Sequence, residues 1–295
     1  MIGEYIVTEC DVRDCRRFED TVAYGGWPLD DHFPMGFYHK STANTDVQTP
    51  APYPLPYRAL YSKNVENLFF AGRNISMTHM AMSSIRVMAT CGLLGQAVGT
   101  AAALACERSL TPHGVYTDAI VELQRRLMDD DCFIPFHARK VGENISISGA
   151  ELDANLYSGH DRVHRITEGK AVTETVLGNA LSYRFNKSEH VSSVHIVFDS
   201  DLNRETIPGD RCEKMHSTRA NVLLSSPRMH MPTTLVRSFK LCIRSADGSE
   251  QSISVENNRK RAHHFEVNKD VTDITLIPTA TWGCEKARIL SFDYR

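Results

Sequence analysis

Two textures of apolar and polar positions divide this 295-residue chain. From about residue 142 onward the two kinds alternate in short runs. His195-Ile-Val-Phe198, Ser238-Phe-Lys-Leu-Cys-Ile-Arg244, Ser252-Ile-Ser-Val255, Ile274-Thr-Leu-Ile277 and Ala287-Arg-Ile-Leu-Ser-Phe292 are the clearest. A period of two marks half-buried strands, and Ala246-Asp-Gly-Ser249 between two of the runs predicts a hairpin turn. Several short strands with no helical period predict an all-β sandwich over residues 142–295.

Residues 1–141 read differently. The first 62 or so are irregular and aromatic, punctuated by Tyr24-Gly-Gly-Trp-Pro28 and by the proline-rich Pro50-Ala-Pro-Tyr-Pro-Leu-Pro-Tyr-Arg58. Interleaving of Tyr53, Leu55 and Tyr57 with prolines predicts extended chain that packs on something. Leu68-Phe-Phe-Ala71 predicts a buried strand end, Gly72-Arg73 a turn, and Met88–Arg108 a helix. Thr111-Pro112 predicts a stop and a new start, with Thr117 as N-cap of a helix running to about Met128. On that helix Ile120, Leu123, Leu127 and Met128 share the inner face, leaving Glu122, Gln124, Arg125 and Arg126 outside.

Val87 to Cys106 contains no charged residue and includes Gly95-x-x-x-Gly99, a membrane-helix packing motif. Most of the stretch is Ala, Gly, Thr, Cys and Gln, which gain little from lipid. The expectation is a helix buried inside a soluble protein, with Gly92, Gly95, Gly99 and Ala103 as a stripe for close backbone packing.

Composition narrows the function classes. Apolar content of 42% and charged content of 23% are those of a globular protein, and a net charge of −3 gives no bias toward nucleic acid. Eight cysteines without a Cys-x-x-Cys pair read as buried, reduced thiols rather than a metal site, which suggests a cytoplasmic protein. Met1-Ile-Gly-Glu-Tyr5 has no signal-peptide character and enters abruptly, so a native start upstream or on another chain is expected.

The strand–turn–helix at 68–108 has the parts a reduced flavin needs. Charge gathers at the flavin's N1 and C2 carbonyl, and a helix N-terminus aimed there offers free N–H groups and the positive end of a dipole. The series Ala23-Tyr-Gly-Gly-Trp-Pro28, Pro54-x-Pro-Tyr-Arg58, Asn64-Val-Glu-Asn-Leu-Phe-Phe-Ala-Gly-Arg-Asn-Ile-Ser76, Thr78-His79, Arg86-Val-Met-Ala-Thr90 and Gly95-Gln-Ala-Val-Gly-Thr-Ala-Ala102 resembles the C-terminal part of the FAD-dependent oxidoreductase family, which includes xanthan-lyase-like and heterodisulfide-reductase-A-like members. The resemblance implies that Gly72, Arg73 and Asn74 line the ribityl–pyrophosphate region of FAD, and that Val87 and Met88, with Arg86, lie near the isoalloxazine. A more distant analogy with fumarate-reductase-like flavoproteins makes His79 and Arg86 candidates for substrate binding or proton transfer.

The chain has no Gly-x-Gly-x-x-Gly loop for the ADP half of the cofactor. The expected fold is therefore α+β: a partial FAD-binding α/β domain over 1–141, without its N-terminal Rossmann half, followed by the sandwich over 142–295. Its expected partners are a small-molecule substrate and a separate Rossmann-bearing half or a second copy, with no membrane or nucleic acid. His190–Leu202 and Thr281–Phe292 resemble a galactose-binding-like, discoidin-type domain. That implies either a bracing role or carbohydrate binding, with Trp282 as a sugar-stacking platform or a buried strand-end residue. The alternative to an oxidoreductase portion is a non-catalytic carbohydrate-binding or interaction module derived from one.

Overall fold

A computed structural model describes residues 1–50, 52–142, 152–167, 169–202 and 231–295. They form two compact units, Met1–His137 and Ala138–Arg295.

The first unit is more regular than its sequence suggests. Helix α1 (Glu9–Arg13) opens with a capping box, Thr8 accepting from the Asp11 N–H while the Asp11 carboxylate accepts from the Thr8 backbone. Strands β1 (Thr21–Gly25) and β4 (Tyr53–Pro56) pair antiparallel. The proline-rich segment is thus an internal strand, with Tyr53, Leu55 and Tyr57 fully buried. Gly25 lies opposite Tyr53, and a Cβ there would come within 2.2 Å of the Tyr53 hydroxyl. Only glycine fits so close to that ring. Between these strands run β2 (Leu29–His32) and β3 (Asn44–Val47), a second antiparallel ribbon.

Leu68-Phe-Phe-Ala71 is not a strand. It makes a single bridge, Tyr61 to Phe69, with the Phe70 N–H donating to the Leu60 carbonyl at 2.9 Å. Phe70 is buried but Leu68 is exposed, because the chain turns away after one residue of pairing. Helix α2 (His79–Ile85), capped by Thr78, follows. The sequence reading missed it: seven residues are too few to show a helical period.

Helix α3 spans Met88–Arg108, as expected, but it is not a buried helix. Thr90, Leu94, Ala97, Ala101, Leu104 and Ala105 face the core. Gly92, Gly95, Gln96, Gly99 and Ala103 face outward, with nothing within 4 Å of where a Cβ would sit on each glycine. None of the described residues covers the glycines of the stripe. Among the described residues α3 is the one helix long and apolar enough to cross a membrane.

Helix α4 (Pro112–Asp129) is capped by Thr111, whose hydroxyl accepts from the Gly114 N–H at 3.0 Å, with Pro112 in the first turn. Thr117 lies inside the helix and is not its cap. Proline needs no N–H partner at that position, and the cap lies six residues earlier than expected. Leu123 and Leu127 face the core as expected. Gln124 was expected outside but is buried, its amide donating to the carbonyls of Glu19 (2.7 Å) and Thr21 (3.0 Å). A side chain with two acceptors in reach can be buried despite its polarity.

In the second unit the described strands build one antiparallel sheet, ordered β5-β10-β6-β9-β7-β8. The strands are β5 (Thr173–Val176), β6 (Leu181–Phe198), β7 (Val236–Ser245), β8 (Glu250–Val255), β9 (Ala262–Thr281) and β10 (Lys286–Tyr294). All five alternating runs fall on strands, but β6 and β9 are 18 and 20 residues long rather than short. Their ladder breaks register between Arg184 and Glu189, and a break of this kind bends strands. The two halves of the sheet then face a common core. Tyr183, before the break, lies 5.1 Å ring to ring from Phe292 on β10 and donates to the Phe292 carbonyl at 2.5 Å. The Asp247-Gly248 turn joins β7 to β8, with Gly248 at φ +84°.

Candidate functional site

The residues the sequence singled out gather around the two ends of α2 and the start of α3. Gly72–Asn74 is a 3-10 turn entered at φ +80°, a conformation favouring glycine. It packs beside α3, and Cys91 in the first turns of that helix is the side chain nearest an ideal Cβ built on Gly72, at 3.9 Å. Burial pushes the Cys91 thiol up while the nearby Arg73 opposes the shift. Arg73 and Asn74 are exposed.

Arg86 ends α2 and Val87 begins α3. Val87 is extended (φ −69°, ψ 146°) and, having no polar side chain, caps nothing. The first N–H groups of a helix have no partner inside it, and those of α3 receive no side-chain cap. Met88, 91% exposed, stands beside them. An uncapped helix start next to a glycine turn suits an anionic or carbonyl group. Among the described residues no cluster of His, Cys, Asp or Glu could hold a metal ion. None of the seven described cysteines is fully buried, and Cys10 and Cys106 are exposed. The expectation of buried thiols fails there, and Cys212 lies outside the described residues.

His79 and Arg86 sit at opposite ends of α2, both tied to β2. His79 donates through Nε2 to Asp31 Oδ1 at 3.0 Å, its side chain 71% exposed. Arg86 donates through Nη2 to the Asp30 carbonyl at 2.9 Å and lies 3.6 Å from the Asp30 carboxylate. That carboxylate also accepts from Asn44 at 2.6 Å and His32 at 3.2 Å. The Asn44 hydrogen bond is the main reason it is held below the usual carboxylate range. Asp30 and Asp31 were not singled out in the sequence. The signal was present in Leu29-Asp-Asp-His32, but its partners lie about fifty residues away.

Residues 1–127 match the FAD dependent oxidoreductase family. No curated protein matches the chain. Similar solved structures include GH31 CBM32-2 bound to GalNAc, 11% identical with a TM-score of 0.32, covering 54% of this chain and 97% of that one. Others are a Streptococcus pneumoniae fucose binding module (11%, TM-score 0.31, 52% and 85%) and the family 32 CBM from C. perfringens NanJ in complex with galactose (14%, TM-score 0.24, 41% and 68%).

In the sheet unit Trp282 is engaged. Its indole N–H donates to the Asn258 carbonyl at 2.7 Å, and the Arg237 guanidinium lies 5.9 Å from its ring centre. The side chain is half-buried and packs against the core, not fully buried as the strand-end alternative expected.

Proposed function

We propose that residues 1–127 form the flavin-facing part of an FAD-dependent oxidoreductase, acting on a small organic substrate. Its ADP-binding half would come from a glycine-loop polypeptide outside these 295 residues. The observation carrying this reading is the uncapped start of α3 beside the Gly72 turn, within the stretch that matches the family. Gly72, Arg73 and Asn74 would hold the ribityl–pyrophosphate part, and the N–H groups after Val87, flanked by Met88, would face the ring. When bound, FAD supplies the hydride acceptor. The chain's own part is to meet the charge that develops on the ring with backbone donors already in place. His79 would hold or move the substrate proton.

Arg86 spends one donor on β2 and keeps the rest of its guanidinium for a substrate oxygen. The open small-residue face of α3 supports the missing-half reading, since glycine and alanine allow another backbone to approach closely. Among the described residues, twelve of the fourteen exposed large apolar ones also lie in the first unit, Phe37, Tyr38 and Met88 among them. For the sheet unit we favour a scaffold role, because the Trp282 indole N–H is already bonded and its side chain packs against the core.

The test is to join the chain to a Gly-x-Gly-x-x-Gly-bearing half from the same family and purify it. Flavin absorbance in the purified protein supports the reading, and a colourless folded protein sinks it.

A further inference from the structure

Asp30 and Asp31 are consecutive residues of one strand, and each grips one end of the same helix. Their partners, His79 and Arg86, are seven residues apart, about 10 Å along the axis of a helix rising ~1.5 Å per residue. The grip on His79 has a chemical consequence. An ionised carboxylate only accepts hydrogen bonds, so the 3.0 Å contact from Nε2 to Asp31 Oδ1 requires the proton on Nε2. In the neutral ring Nδ1 then carries the lone pair. Asp31 itself is only 22% exposed, whereas the His79 side chain is 71% exposed.

We propose that Asp31 is the positioning residue of His79. It fixes the Nε2–H tautomer and leaves Nδ1 as the proton-accepting atom of the flavin site. In a proton transfer the substrate's proton moves to Nδ1, the electron pair of the broken bond stays with the substrate, and the imidazolium formed faces the Asp31 carboxylate. The functional part of this assignment rests on the flavin reading, whereas the tautomer rests on the β2–α2 geometry alone.

The test is 15N NMR of the full chain labelled at histidine, above the pH at which imidazole titrates. The His79 signals are identified by their loss in His79→Gln. Wild type is expected to show a pyrrole-type Nε2 and a pyridine-type Nδ1. Asp31→Ala is expected to raise the minor Nδ1–H population roughly tenfold, the equivalent of ~1.4 kcal/mol. Asp31→Asn, whose amide oxygen still accepts, is expected to stay near wild type.

A wild-type spectrum with a pyridine-type Nε2 overturns the proposal without recourse to any variant. So do equal tautomer populations in wild type and a folded Asp31→Ala. A completed protein that fails to bind flavin removes the functional reading and leaves the tautomer result standing.

Discussion

Arg139→Met is the most demanding test of how the sheet unit is held together. The Arg139 side chain is 3% exposed and forks onto two carboxylates. Nε and Nη2 donate to Asp161 at 2.7 and 2.8 Å, and Nη1 and Nη2 to Asp293 at 2.9 and 2.7 Å. Burial alone would raise the Asp161 carboxyl, but Arg139 outweighs it and holds the group well below the usual range.

Methionine fills similar volume and leaves two shielded carboxylates without their shared guanidinium. Breaking a buried pair from one side costs ~3–5 kcal/mol, about a third of a domain's whole stability. With a urea slope of ~2 kcal/mol/M the midpoint falls by ~1.5–2.5 M. Trp27 and Trp282 are the only tryptophans, so in a Trp27→Phe background the Trp282 fluorescence reports this unit. Adding Asp161→Asn and Asp293→Asn to Arg139→Met is expected to recover more than half of the loss. A midpoint shift under ~0.5 M, or no recovery, refutes the assignment of a buried, mutually dependent charge cluster.

Three further outcomes follow from the same geometry. Gly25→Ala drives a methyl into the Tyr53 ring and should cost ~1–3 kcal/mol by overpacking; a thermal melt matching wild type contradicts the β1–β4 approach. Val87→Asp supplies the missing cap of α3 and should add ~1 kcal/mol of stability while weakening flavin binding in the completed protein, so unchanged flavin affinity counts against the role given to those N–H groups. Burial pushes His263 down from 6.5 to about 4. Between those values the unfolded ring binds a proton that the folded ring refuses, so stability is lost as pH falls from 6.5 toward 4. The full shift is worth ~3 kcal/mol and partial exposure cuts that to ~1.5. His263→Phe should flatten this part of the pH–stability curve.

The elements legible in the sequence were those with strong local signals. Met88–Arg108 shows itself through its uncharged run, and β7, β8 and β10 through their alternation. The Asp247-Gly248 turn declares itself through glycine's access to positive φ. Features resting on distant partners were not legible. Gln124 is buried because the Glu19 and Thr21 carbonyls are there to receive it, and Arg139 because Asp161 and Asp293 are. The candidate site was half legible: Gly72, Arg73 and Asn74 form one turn, and Val87 and Met88 begin the helix that packs beside it. Asp30 and Asp31 belong to another ribbon, and α2, which brings His79 and Arg86 to them, is too short to show a period.

The central claim is that this chain carries the flavin-facing part of a site completed from outside it. The most direct measurement is calorimetric titration of FAD into the 295-residue chain, alone and with a glycine-loop half added. The account predicts no stoichiometric binding alone and one FAD per complex when the other half is present. Tight one-to-one binding to the chain alone would contradict it, as would a folded complex that takes up no FAD.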